Sequence, residues 1–174
     1  RTVRDIPLDE LFELLDLDEL YRLQWGGRGS GPQFEDTVKR EFGPRLARLT
    51  AEAKRERWLR PEAVFGIFPA QSRGTELLVY DPEAYARDGS IRALARFHFP
   101  RQEGGRERLC IADYFRPVDS SDVDVVAFQV VTVGDAATQR FQELQGAGEY
   151  TEAFYAHGLA VETAEAVAEW MHRK

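Results

Sequence analysis

Leu8, Leu11, Phe12 and Leu15 recur at helical spacing, with Asp9 and Glu10 at the start, where a helix dipole favours acid. A second short helix is expected over 17–25, carrying Leu20, Tyr21 and Leu23 and stopped by Gly26-Gly27. Residues 28–32, Arg-Gly-Ser-Gly-Pro, read as loop. Phe34, Val38, Phe42, Leu46 and Leu49 share one face of a longer helix over 34–58, which Gly43-Pro44 should kink or break. The pattern then changes to strands. Ala63 to Phe68 is a β-prone run stopped by Pro69, and Glu76 to Tyr80 is a second before an Asp81-Pro82 turn. Ile91, Ala93, Ala95, Phe97 and Phe99 alternate as in a half-buried strand. Asp124 to Val133 is apolar on both faces and predicts a strand buried on both sides. Helical spacing returns at about 136–145, and after Gly146-Ala147-Gly148 a long helix is expected over 150–174. Helices, then strands, then helices is the order of an α+β fold rather than of alternating parallel α/β units.

Composition narrows the classes. The 174 residues suit one domain, and 43% hydrophobic residues can form a core, which excludes a disordered chain. Thirty acidic residues against 23 basic ones give a net charge of −7. The basic stretches 54–60 and 101–108 are interleaved with Glu, so they read as solvated surface, not as a nucleic-acid patch. Cys110 is the only cysteine, which excludes an internal disulfide and fits a reducing, cytoplasmic setting. No apolar run is long enough to span a bilayer. The chain opens on Arg1 rather than Met, and the expectation is an excised or processed segment.

Several motifs invite chemistry and fail its tests. The glycines at 26–31 lack the G-x-G-x-x-G spacing, follow a helix and contain no Gly-Lys-Ser/Thr. His98, His157 and His172 are scattered without a metal-ligand partner, and no G-x-S-x-G nucleophile signature occurs. The stretch Asp119 to Asp124 lacks the central Gly and terminal Glu of a helix-loop-helix calcium site and reads as a solvated turn. Residues 68–74, Phe-Pro-Ala-Gln-Ser-Arg-Gly, put Gln71 and Ser72 on a turn after a buried strand. There they are either ligand-facing or an ordinary strand exit.

Glu165 is the most informative position. Phe154, Gly158, Val161, Glu165, Ala168 and His172 advance in steps of four and three and line one face of the last helix, expected to be the buried one. A carboxylate there needs a partner. That partner is either internal, with Arg140 the candidate, or a ligand hydroxyl or amine.

Five segments together resemble the activation domain of cobalamin-dependent methionine synthase. They are Val64 to Ala70 (VFGIFPA), Arg96 to Gln102 (RFHFPRQ), Leu109 to Tyr114 (LCIADY), Ala127 to Thr132 (AFQVVT) and His157 to Ala166 (HGLAVETAEA). The resemblance runs over about residues 5–174. It implies a single curved α+β domain over 1–174, with a helical segment 1–60 and a part 61–174 of sheet plus closing helices. The sheet would be twisted and mainly antiparallel, flanked by helices, with the long helix at the C-terminus.

It also implies the reactivation module of 5-methyltetrahydrofolate–homocysteine S-methyltransferase, which binds S-adenosylmethionine for reductive methylation of oxidised cobalamin. The alternative is a docking module that contacts the cobalamin domain or flavodoxin without binding S-adenosylmethionine itself. Partners so implied are the cobalamin-binding domain of the same polypeptide and a flavodoxin-type reductant, with no nucleic acid and no membrane. Zinc belongs elsewhere in the parent enzyme. The family's ligand-contacting Glu falls on Glu165. An Asp that some members carry just after the Trp of the second helix falls on Gly26, where any contact would come from backbone. The family's R-x-x-x-G-Y motif does not occur in the chain, so the expectation is a domain truncated before it, inactive as an isolated fragment.

Overall fold

The computed structural model describes all residues 1–174. The chain divides into two compact units, the first formed by residues 1–64 and 129–174 and the second by residues 65–128.

The first unit is mostly helical. A short strand β1 (Thr2–Val3) pairs antiparallel with the start of β2 (Glu62–Arg73), Thr2 opposite Val64 and Val3 opposite Ala63. Helices α1 (Leu8–Phe12), α2 (Leu17–Glu19), α3 (Pro32–Thr37) and α4 (Gly43–Glu56) follow β1. After the end of β5 (Asp124–Thr132) come α6 (Asp135–Gly146) and the 24-residue α7 (Tyr150–Arg173).

Two π turns, Leu20–Gln24 and Val38–Phe42, follow α2 and α3. In each the closing amide reaches back five residues, Trp25 N–H to Leu20 O and Gly43 N–H to Val38 O. The second turn explains why Gly43-Pro44 does not break the helix as expected. The π turn resets the hydrogen-bond pattern, Gly43 keeps helical angles, and Pro44 falls in the first turn of α4, where its missing N–H is tolerated.

Each π turn delivers an aromatic residue to α7. Tyr21, Trp25, Phe42 and Tyr155 form a cluster with ring centroids 5.1–5.7 Å apart along four of its edges. Small residues on α7, among them Ala153, Ala156, Gly158 and Ala166, let its neighbours approach. Leu11, Leu20, Leu159 and Val167 are fully enclosed in this core.

The second unit is built on antiparallel pairing of β2 with β3 (Glu76–Tyr80), and of β3 with β4 (Ala93–His98). The remaining strand, β5, pairs with β2. Pro69 does not stop β2 as the sequence suggested. The ladder to β3 begins at Ala70, one residue beyond it, so no hydrogen bond to β3 is required of the proline. Asp81-Pro82 opens a helix instead of a simple turn. Asp81 accepts from the amides of Glu83 and Ala84 and caps α5 (Pro82–Asp88), which closes on Gly89 in the left-handed region. Ala70, Leu77 and Val79 form a small core with Phe68, Ala95, Phe99, Phe115 and Val126.

Two strand expectations are corrected. β5 is not buried on both sides: Val125 is 63% exposed and Val130 69%. Its apolar alternation records β-propensity, not cover on both faces. In β4 only Ala95 is half-buried, and Phe97 remains exposed.

Candidate functional site

The site begins with a helix cap. Asp16 ends the link between α1 and α2, and its carboxylate accepts from the amides of Asp18 and Glu19, both at 3.0 Å. An N-cap residue has no intrahelical partner for its own N–H. Asp16 N–H donates instead to Glu162 Oε1 on α7 at 3.2 Å. This bond joins two elements 146 residues apart in the chain.

An open groove of about 730 Å³ runs alongside. Asp16 and Glu19 form one wall, and Glu162, Glu165 and Glu169 of α7 form the other. Gln129 also lines it, its amide held by the carbonyl of Ala168 at 3.4 Å. His172 is the one basic-capable side chain in the lining. Five carboxylates around one imidazole make the groove a site for positive charge.

The five are unlike. Glu169 is paired with Arg173 at 2.7 Å. Glu165 is exposed, forms no ion pair, and leaves Arg140 to Glu52 at 3.7 Å. Glu162 is 2% exposed. Burial pushes its carboxyl above the usual range, and the charges of Glu19, Asp16 and Glu165 push the same way. The Asp16 amide opposes them by stabilising the ionised form. Glu162 Oε2 is enclosed and has no hydrogen-bond partner.

The face expected to be buried on α7 is only partly covered: Gly158 is buried, and Val161 and Ala168 are half-buried. Phe154 is 48% exposed and His172 is exposed, whereas Leu159, Glu162, Thr163 and Ala166 lie inside. Glu165 sits on the border of that face, at the groove. Gly26 does not line the groove; it follows Trp25 in a left-handed conformation with open space where a side chain would be. Sequence reasoning passed over Asp16 and Glu162. The available signal was the helically spaced set Leu159, Thr163, Ala166, beside which a carboxylate stands at 162.

Elsewhere charged and polar groups mostly answer one another, although Arg45 Nε, Glu52 Oε2 and Trp58 Nε1 are also buried without a hydrogen-bond partner. A cleft of about 490 Å³ holds Arg40, Arg45, Arg48 and Arg140, but Glu41, Glu52 and Glu152 pair with its arginines. Gln71 and Ser72 are not on a turn. They are buried within β2, where Gln71 donates to the carbonyls of Pro117 and Asp122 and accepts from Tyr80 O–H, and Ser72 donates to Phe115 O. Asp122 and Asp124 pair with Arg116. No group of three or more His, Cys, Asp or Glu side chains is arranged to hold a metal ion, and no helix is long and apolar enough to cross a membrane.

A family model described as vitamin B12 dependent methionine synthase, activation domain, matches residues 8–174. The chain belongs to this family. Methionine synthase of Mycobacterium tuberculosis is 37% identical over 184 aligned residues, and that of Mycobacterium leprae 36% over 186. Each alignment covers all of this activation domain but 15% of the relative's length. A crystal structure of the MetH reactivation domain bound to AdoHcy superposes with a TM-score of 0.83 at 23% identity. It covers 99% of the activation domain described here and 54% of that structure. The likeness establishes the fold, a mixed α+β arrangement with an antiparallel sheet and a long C-terminal helix.

Proposed function

We propose that the chain works within a longer methionine synthase polypeptide, where it binds S-adenosylmethionine and carries it to cobalamin for reductive reactivation. The observation that carries this reading is the acidic groove beside α7, in a chain of the activation-domain family. S-adenosylmethionine bears a sulfonium and an ammonium group, and a lining of carboxylates suits both charges. The structural neighbour holds AdoHcy, which supports the same ligand class.

Glu165 is the proposed contact from α7, free of any arginine and open to the groove. Cobalamin, held by a neighbouring domain of the same polypeptide, supplies the methyl-accepting cobalt. The residues of this chain supply position and electrostatic fit, and no acid–base dyad is needed for that task. A flavodoxin-type donor would provide the electron. A buried free thiol at Cys110 agrees with a cytoplasmic setting.

Exposed Leu94, Phe97 and Val125 in the second unit favour a second reading, in which the chain only docks on a partner domain and leaves the nucleoside to others. One experiment separates the two. Glu165→Gln is placed in the methionine synthase polypeptide that carries this domain, and S-adenosylmethionine-dependent recovery of oxidised enzyme is measured. Recovery should fall by about tenfold or more, the scale of a lost charged hydrogen bond. Unchanged recovery would favour docking, and absence of any S-adenosylmethionine binding by titration calorimetry would overturn the proposed function.

A further inference from the structure

Glu162 is at odds with its surroundings. It lies on the buried face of α7 beside Leu159, Thr163 and Ala166, 2% exposed. One oxygen is committed to Asp16 N–H at 3.2 Å, and the other is enclosed without a partner. The charges acting on it, from Glu19, Asp16 and Glu165, are all acidic, and no lysine or arginine offsets them. A carboxylate so placed is costly to the fold, and a glutamine could keep the bond to Asp16 without the charge. Buried polar atoms left unpaired in a folded protein call for an explanation, and a functional site is one; of the four such atoms in the chain, only Glu162 Oε2 belongs to a residue of this groove.

Glu162 lines the same groove as Glu165. The groove carboxylates are not grouped as metal ligands, so the cation that fits them is organic. We infer that Glu162 is a second ligand-binding carboxylate, which receives the protonated amino group of the ligand at the floor of the groove through its unpaired oxygen. This deepens the proposed function and rests on it. The division of labour follows from burial. Glu165 at the open edge faces a solvated part of the ligand, while the enclosed Glu162 oxygen accepts a charge-assisted bond in low dielectric, where such a bond is strongest.

The test is Glu162→Gln in the methionine synthase polypeptide carrying this domain, titrated calorimetrically with two probes. S-adenosylhomocysteine has the amino group; 5′-methylthioadenosine keeps the nucleoside thioether but lacks the amino-acid end. Affinity for the first should fall by about tenfold or more, and for the second by less than about twofold. Retained 5′-methylthioadenosine binding also reports that the variant is folded. A parallel loss for both probes in a variant with native circular dichroism assigns Glu162 to holding Asp16 in place and overturns the inference, as does no loss for either. A measurement on the unsubstituted protein stands apart from any folding defect: the deaminated 2-oxo analogue of S-adenosylhomocysteine should bind about tenfold more weakly, and equal binding would overturn the amine contact. If the unsubstituted protein binds neither nucleoside, the proposed function itself falls, a result distinct from one in which it binds and Glu162→Gln changes nothing.

Discussion

Gly158 stands against the indole of Trp25: a Cβ on it would lie 2.7 Å from Trp25 Cδ1 and 2.9 Å from Nε1. The ring has no easy retreat, because Nε1 donates to Tyr155 O at 3.1 Å and the ring meets Tyr155 edge-on at 5.1 Å. Gly158→Ala gains about 1 kcal/mol of helix propensity. It loses about 1–3 kcal/mol to overpacking. The expected net effect is a destabilisation of about 1 kcal/mol in urea unfolding, with a shift in tryptophan fluorescence. Gly146→Ala, with open space around the added methyl, is the control and should gain about 0.5 kcal/mol. A gain at both positions would mean that Trp25 yields after all.

Gln71 makes a separate prediction in the second unit. Gln71→Leu strips donors from the carbonyls of Pro117 and Asp122 and an acceptor from Tyr80 O–H. The expected cost is about 2–3 kcal/mol, the scale of buried polar groups left unpaired. Amides of residues 115–122 should exchange faster by hydrogen–deuterium mass spectrometry, with α7 unaffected. Unaltered exchange at 115–122 would show that the loop is held by other bonds.

The raised carboxyl of Glu162 makes stability depend on pH with a definite sign. Below the ordinary Glu value, about 4.3, folded and unfolded chains both hold the proton and the contribution is fully present. As pH rises toward the raised folded value, the unfolded chain releases its proton first, so stability falls. The groups facing Glu162 around the groove are Asp16, Glu19, Glu165, Glu169 and His172, and they are common to both proteins compared. Unfolding midpoints measured from pH 4 to 8 should therefore diverge, with Glu162→Gln more stable than the parent at the neutral end. Parallel curves would show that Glu162 ionises in the folded protein as freely as in the unfolded one.

The elements were largely legible in the chain, because α4 carries a helical period, β3 is a short apolar run, and glycines mark where α6 ends and α7 begins. Their orientation was less so. Alanines at 153, 156, 160, 164, 166 and 168 spread around α7 and blur the distinction between its faces, which is why Glu165 was read as buried and Glu162 passed over. Propensity has no term for a π turn. The i to i−5 bonds at Trp25 and Gly43 accompany the packing of Trp25 and Phe42 against Tyr155 from elsewhere in the chain, with Tyr21 against both Trp25 and Phe42. Gln71 resembled an exposed turn residue because the carbonyls that satisfy it lie 46 and 51 residues away. Five family-like strings pointed to the family and singled out Glu165, which in the structure lines the groove. The partner of Asp16, by contrast, is set by the three-dimensional meeting of a helix start with a helix side.

The π turn at Leu20–Gln24 acts as a phase shifter in the route from Asp16 to Trp25. An ordinary helix advances about 100° per residue, so winding these same residues as a regular α-helix, without the five-residue turn, would rotate everything after the stretch by about that angle relative to everything before. Asp16 could then still cap its helix and meet α7, or Trp25 could still reach Tyr155, but not both. The π turn keeps the acidic groove in phase with the aromatic core, and regular winding there would uncouple the two without touching a single groove side chain.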